Sequence, residues 1–159
     1  MRRIALFLAL CLGLSACGAE RIWAPEEEVQ RAAYSNGDPP SLTLITVISN
    51  STDSGAHSGL VINGSQRVVW DPAGTWWNPG SPERNDLHYG MHDAMLENYI
   101  DYHARETFRV VVQEVEVSPE VAEQAFISAK NYGAAPKAYC ARTTSDILQN
   151  LPGFGFIRT

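Results

Sequence analysis

The chain has 159 residues, of which 45% are hydrophobic, and a formal net charge of −6. This length predicts one domain with a core of ordinary size, and the hydrophobic content is that of a folded protein rather than a disordered one. Acidic residues outnumber basic ones by 18 to 12, and no Lys/Arg cluster interrupts them. Because such a surface repels polyanions, nucleic acid is excluded as a partner.

The first residues of the chain have the pattern of an export signal. Two arginines at positions 2 and 3 precede an apolar stretch from Ile4 to Leu12, which is shorter than the roughly 20 residues that a transmembrane helix needs. The small residues Ser15 and Ala16 then precede Cys17, as cleavage by a signal peptidase requires. An ordinary export signal followed by an unrelated cysteine is the alternative interpretation.

The segment Leu14-Ser15-Ala16-Cys17 resembles the signal of bacterial lipoproteins. The resemblance implies that residues 1–16 are a removable signal peptide and that Cys17 becomes the N-terminus, carrying a diacylglyceryl group and often a further acyl chain. Because Gly18 rather than Asp follows Cys17, it also implies sorting to the outer membrane, with the protein anchored on the periplasmic face. The implied partner is the membrane itself, through the lipid on Cys17.

Removal of the signal changes the charge and the cysteine count. It takes away two arginines, which leaves 10 basic residues against 18 acidic ones and a formal charge of −8. Residues 17–40 are polar and end in breaker residues, so we predict a lipidated tether there and one packed domain over residues 41–159.

Cys11 lies in the signal and Cys17 takes the lipid, which leaves Cys140 as a lone thiol. In an oxidising compartment such a thiol is either buried and inert or used for chemistry.

Hydrophobic periodicity and capping signals predict both strands and helices. Predicted strands cover Leu42–Ile48, His57–Ile62, Gln66–Asp71 and Phe108–Val117, the last with one bulge. Predicted helices run from Pro25 to Ala33, from Met91 to His103, from Pro119 to about Tyr132, and from Tyr139 to the breakers that begin at Asn150. A long loop over residues 72–86 contains Trp76 and Trp77, which either form the lip of a binding site or plug the core.

The segment Asn63-Gly64-Ser65 between the second and third predicted strands is a strong hairpin signal. A loop formed by these three residues would place His57 directly across from Asp71. A two-residue loop centred on Asn63 and Gly64 would make Trp70 the partner of His57 instead. The sequence leaves both registers open.

Cys140 has the surroundings of a nucleophile, because it lies in the first turn of a predicted helix. Unpaired N–H groups and the positive end of the helix dipole favour the thiolate over the thiol. His57 would act as its general base and acid, and Asp71 would accept a hydrogen bond from one ring nitrogen and leave the other nitrogen facing Cys140. The backbone N–H of Cys140 would stabilise the oxyanion of an acyl-transfer intermediate.

Three segments of the chain carry a family resemblance: HSGLVING at 57–64, RVVWD at 67–71 and YCARTTSD at 139–146. Together they resemble the circularly permuted branch of the NlpC papain-like superfamily, in which the histidine strand precedes the cysteine helix and which includes relatives of lecithin retinol acyltransferase. The chain is also similar to proteobacterial lipoproteins with the same hairpin.

The resemblance to the permuted NlpC-type domain implies an α+β fold, with a small antiparallel sheet and helices packed on it. It further implies a thiol hydrolase or acyltransferase that acts on an amide or ester, with Cys140, His57 and Asp71 as catalytic residues and no cofactor. The predicted location makes peptidoglycan peptides the first substrate class to test, beside acyl substrates.

Two other interpretations belong to different functional classes. In the first, the chain is a non-catalytic envelope lipoprotein that binds or scaffolds, with Cys140 buried and His57 turned elsewhere. In the second, His88 and His92 bind a metal together with neighbouring carboxylates or His103, although solvent exposure is the more ordinary expectation for histidines in a polar segment. The sequence contains no Gly-rich phosphate loop and no serine nucleophile elbow.

Overall fold

A six-stranded antiparallel sheet and four helices form this α+β chain, seen in a computed structural model that describes residue 19 and residues 21–158. The predicted signal peptide, residues 1–16, and the predicted lipidation residue Cys17 lie outside the described residues. The strands are β1 (Ser41–Ser49), β2 (Gly55–Asn63), β3 (Arg67–Trp70), β4 (Glu83–Arg84), β5 (Leu87–His88) and β6 (Phe108–Glu116), in the spatial order β4-β5-β3-β2-β1-β6. The helices are α1 (Glu26–Ala32), α2 (Asp93–His103), α3 (Pro119–Tyr132) and α4 (Cys140–Gln149).

Capping residues define the ends of α3. The Ser118 side chain accepts a hydrogen bond from the Val121 N–H, Pro119 occupies the first turn of α3, and Gly133 ends that helix with a φ of 84°. Cys140 is the first residue of α4. The predictions for these two helices are confirmed, because the signals on which they rest act within one helical turn.

The hairpin register differs from both predicted registers. Asn63 pairs with Arg67, so the loop consists of residues 64–66, and the ladder ends where Leu60 pairs with Trp70. Asn63 stays in β2 because it also pairs with β1 and because its side-chain amide donates to the Pro39 carbonyl at 3.1 Å. These tertiary contacts outweigh the local preference of asparagine for the turn.

His57 is therefore not the cross-strand partner of Asp71 or Trp70. Its partner is Val47 on β1, since His57 lies beyond the end of the β2–β3 ladder. The bulge predicted in β6 is also wrong, because β6 pairs with β1 in unbroken register from Phe108 to Glu116. The irregularity lies instead between Val47 and Ile48, where β1 faces β2.

Both faces of the central strands β2 and β3 are covered, whereas the edge strand β6 is largely exposed. One face, with Leu60 and Ile62, packs against α3 and α4. The other face, with Val61 and Val69, packs against α2 and the loop that holds Trp76. Alternation along β2 places His57 on the α2 side of the sheet.

Part of the segment assigned to the tether packs on the domain. Trp23 forms an antiparallel bridge with Arg84 at the edge of the sheet, and Val29 of α1 is buried in the core. The Arg67 N–H donates to the Tyr34 carbonyl at 2.7 Å. Among the described residues, no helix is both long enough and apolar enough to cross a bilayer.

Candidate active site

The three side chains proposed for catalysis lie together. His57 is on β2, Asp71 directly follows β3, and Cys140 opens α4. The His57 Nε2 nitrogen lies 2.6 Å from Asp71 Oδ1, and the Cys140 thiol forms a hydrogen bond with the same imidazole. Because Nε2 is occupied by Asp71, Nδ1 is the nitrogen left for the sulfur. The imidazole thus stands between a carboxylate and a thiol.

The surroundings of Cys140 favour the thiolate. The hydrogen bond with His57 lowers the pKa of Cys140, and backbone N–H groups of Ser58 and Ala141 stabilise the sulfur as well, although partial burial opposes them. Ser58 lies beyond the end of the β2–β3 ladder, so its N–H is available to the sulfur. Cys140 is neither fully exposed nor deeply buried. A substrate could therefore reach it.

His57 is held as the imidazolium. Burial lowers the pKa of His57, but its hydrogen bonds and electrostatic attraction to Asp71 and Cys140 raise that pKa to about 10. Asp71 is fully buried, which by itself raises the pKa of its carboxyl, yet the contact with His57 keeps it below its usual value. At neutral pH the site therefore holds an imidazolium beside a carboxylate, and the same imidazolium shifts the Cys140 thiol toward its thiolate form.

Helix α2 supports this site with two residues one turn apart. The Tyr99 hydroxyl donates to Asp71 Oδ1 at 2.7 Å, on the same oxygen that contacts His57. The ring of His103 stacks on the ring of His57, with centroids 5.3 Å apart and planes 8° apart, and His103 Nδ1 donates to the Tyr99 carbonyl at 2.8 Å. Burial lowers the pKa of His103, which favours the neutral ring beside the imidazolium.

Sequence reasoning missed these supporting roles. It placed Tyr99 within a helix predicted from Met91 to His103, and it considered His103 as a metal ligand. The signal that could have been used is the spacing of four residues, which places both side chains on one face of α2.

Two glycines make room for the carboxylate and its partner. A Cβ on Gly59 of β2 would collide with the Tyr99 hydroxyl, and a Cβ on Gly74 would collide with the carboxylate of Asp71. The backbone of Gly74 is also tied to Asp71, because its N–H donates to the Asp71 carbonyl at 3.0 Å. Close packing of backbone around Asp71 leaves its carboxylate little freedom to turn.

Two clefts flank the site and share the wall formed by residues 73–75. The larger, of about 590 Å³, includes Asp71, Trp77 and Lys137 in its lining, and the smaller, of about 270 Å³, includes His57 and His103. The larger volume is that of sites for small molecules. Trp76 is 3% exposed and packs in the core, as one interpretation of the pair predicts, whereas Trp77 is 70% exposed and lines the larger cleft.

Asp86 ties the two sides of the larger cleft together. Its carboxylate accepts from the Ala135 N–H at 2.6 Å and from the backbone of Ala73, and its carbonyl accepts from the Asp71 N–H at 2.8 Å. Ala73 adopts the left-handed φ of 57°, and Ala138, two residues before the cysteine, a φ of 68°. Such conformations are unfavourable for alanine and cluster at functional sites.

The metal site proposed for His88 and His92 does not form. His88 is 2% exposed, so the prediction of solvent exposure is wrong for it, and burial lowers its pKa to about 4. His92 caps α2, where its side chain accepts from the Met95 N–H. Within the described part of the chain, the donors close enough to share an ion belong to His57, Asp71 and His103, whose ligand atoms lie within 4.8 Å of one another. The stacked rings and the His57–Asp71 hydrogen bond already use this space.

No protein-family model, no curated protein and no solved structure matches this chain. An α+β architecture by itself does not specify an activity, because one fold can carry many chemistries. The geometry and electrostatics of the site are therefore what supports a function.

Proposed function

We propose that this protein is a membrane-anchored periplasmic cysteine hydrolase or acyltransferase that acts on an amide or ester bond. Cys140 is the nucleophile, His57 the general acid and base, and Asp71 the residue that orients His57. The observation that carries the proposal is that one imidazole, that of His57, bonds Asp71 through Nε2 and also interacts with the Cys140 thiol. This is the arrangement that activates a thiol for acyl transfer.

The proposed reaction begins with attack of the Cys140 thiolate on the substrate carbonyl. A carbon–sulfur bond forms, and the oxyanion is stabilised by unpaired N–H groups at the start of α4. His57 then gives a proton to the leaving amine or alcohol as the carbon–nitrogen or carbon–oxygen bond breaks, which leaves a thioester. Water or another acceptor next loses a proton to His57 and attacks the thioester, and the thiolate of Cys140 is restored. Asp71 stays ionised throughout.

The topology supports a permuted papain-like, NlpC-type domain. The histidine strand β2 precedes the cysteine helix α4 in the chain, and the helix packs against that strand. The proposed anchor is a lipid on Cys17, which would hold the domain at the periplasmic face of the outer membrane. Peptidoglycan peptides and acyl esters are then the substrate classes to test, with a Cys140→Ala variant as the inactive control.

The proposal is tested by the pH dependence of alkylation of Cys140 with iodoacetamide, in the chain lacking residues 1–17. We expect rapid labelling with an apparent pKa below the ~8.5 of a free thiol. The His57→Ala variant should lose this rapid phase, whereas His92→Asn, which removes an imidazole outside the site and keeps a side chain that can cap α2, should keep it.

Slow labelling that appears only on denaturation would overturn the proposal. Cys140 would then be an inert thiol, and a non-catalytic scaffolding or binding lipoprotein would be the better description. A fast wild-type reaction that is unchanged in His57→Ala would also remove the proposed role of His57.

A further inference from the structure

Two tryptophans are largely exposed at one edge of the molecule. Trp23 is 64% exposed and Trp77 is 70% exposed, and Ile22 beside Trp23 is also exposed. Large aromatic side chains at such exposure leave apolar area in water that a partner could bury. The two other tryptophans, Trp70 and Trp76, are buried in the core.

The exposed residues lie around the mouth of the larger cleft. Ile22 and Trp77 both line this cleft, and Lys137 stands in the same lining. Trp23 pairs with Arg84 of β4, the outermost strand on that side of the sheet, and the Arg84 guanidinium stacks on its ring at 4.7 Å. We name Ile22, Trp23 and Trp77 the edge patch.

The position of the edge patch in the chain connects it to the proposed anchor. Five peptide units separate Cys17 from Ile22, and a chain of that length spans at most about 18 Å. A lipid on Cys17 would thus keep the edge patch close to the bilayer. Tryptophan is the residue type enriched where a protein meets the membrane–water interface, and lysine can extend its charge to the headgroups there.

We propose that the edge patch docks on the interface of the lipid bilayer, so that the larger cleft opens against the membrane. The inference rests on the proposed lipid anchor at Cys17. It implies that a substrate entering this cleft, which Asp71 lines, comes from the membrane side as an amphiphilic amide or ester held in the bilayer. A cleft turned toward the bilayer would receive such a molecule without its transfer through water.

The test uses the lipidated chain in phosphatidylcholine vesicles whose acyl chains carry bromine, which quenches tryptophan fluorescence on contact. Trp70 and Trp76 supply an unquenched background because the core shields them. We expect clear quenching in the wild type. Trp23→Phe and Trp77→Phe should each lose part of it, and the double variant should lose nearly all of it while still floating with the vesicles.

Matched controls separate docking from anchoring. Phe156→Ala, which removes an exposed aromatic ring of the C-terminal turn, should leave quenching unchanged. Flotation with the vesicles without quenching would overturn docking while leaving the anchor intact. Failure to float would overturn both. Protection of the tryptophans from acrylamide without quenching by bromine would also contradict docking, since the edge patch would then be covered by protein, and alkylation of Cys140 tests the catalytic proposal independently.

Discussion

A single carboxylate oxygen determines the charge state of the proposed site. Asp71 Oδ1 accepts hydrogen bonds from both His57 and Tyr99. The hydrogen bond from His57 to Asp71 is the main interaction that raises the pKa of His57, against the effect of burial. Removing the charge of Asp71 without changing its shape should therefore return His57 to the neutral form. The Cys140 thiolate would lose its imidazolium partner in consequence.

We expect Asp71→Asn to raise the apparent pKa of Cys140 and to slow its alkylation at pH 7 by about tenfold or more. A tenfold change corresponds to about 1.4 kcal/mol. The reason is that Asn keeps hydrogen-bonding capacity but not the charge that stabilises His57 as a cation. The measurement is the pH profile of iodoacetamide labelling, with Asp101→Asn on the exposed side of α2 as the control. An unchanged profile would show that the carboxylate does not set the charge of His57.

Because His88 is buried, we expect the free energy of unfolding to fall in acid. Burial lowers the pKa of His88 from 6.5 to about 4. Between these two pH values, His88 is protonated in the unfolded chain and neutral in the folded protein. The unfolded state then binds more protons between these values, and the free energy of unfolding falls as the pH drops from about 6.5 toward 4, by a few kcal/mol at most.

Urea unfolding at pH 7 and pH 4.5 measures this contribution of His88. In His88→Gln, which cannot titrate, we expect a smaller difference between the two pH values than in the wild type, whatever its stability at pH 7. The exposed His92→Gln should behave as the wild type does. Equal pH dependence in all three proteins would contradict the assignment to His88.

At the scale of elements, the site depends on the fit of α2 against β2. Gly59 of β2 lies under the Tyr99 hydroxyl, and the same helix holds His103 against His57. The helix therefore positions both the carboxylate and the imidazole, although it contributes neither of them. A change that moves α2 outward should affect the reactivity of Cys140 on another element.

Gly59→Ala tests this fit, because the added methyl group must displace the buried Tyr99 ring. We expect a loss of about 1–3 kcal/mol in the free energy of unfolding, as for overpacked cores, together with slower alkylation of Cys140. Gly55→Ala in the same strand is the matched control, since its Cβ would meet no atom within 4 Å. If both variants alkylate like the wild type, α2 does not position the site.

At the scale of the whole molecule, the domain includes residues well before β1. Val29 contributes to the core, and the Tyr34 carbonyl accepts from Arg67 of β3. Burial of one valine contributes about 1.5–3 kcal/mol, and a hydrogen bond about 1 kcal/mol more. These contacts hold the N-terminal segment on the domain instead of leaving it free as a linker.

A chain that begins at residue 41 should therefore be less stable than one that begins at residue 18, by about 3 kcal/mol or more. The measurement is the urea midpoint at constant slope for the two chains. Val29→Ala in the longer chain should account for a large share of the loss. Equal midpoints would show that the N-terminal segment adds nothing to the free energy of unfolding.

The sequence sufficed where the deciding interactions are local. The N-cap at Ser118 follows from residues within one turn, and α4 starts at Cys140, one residue after its predicted start at Tyr139. His57, Asp71 and Cys140 were selected for chemistry that the structure places together. The hairpin register could not be predicted, because the contact that decides it joins Asn63 to Pro39.

The burial of His88 was equally hidden from sequence reasoning. Its segment is polar, yet β5 pairs with β3 and Trp76 packs on its ring, with centroids 4.9 Å apart. Neither contact can be inferred from the residues next to His88 in the sequence. The same holds for the two short strands within and after the predicted loop, which are too brief to show a period of two.

The order of elements along the chain has a consequence for when the thiol becomes reactive. Strand β2 and Asp71 occur early, whereas α4 is the final helix of the described chain and carries Cys140 at its start. During synthesis, the segments that carry His57 and Asp71 leave the ribosome before the segment that carries Cys140. The contacts that lower the pKa of Cys140 can form only when the last helix docks, so an incompletely folded chain carries an ordinary cysteine thiol.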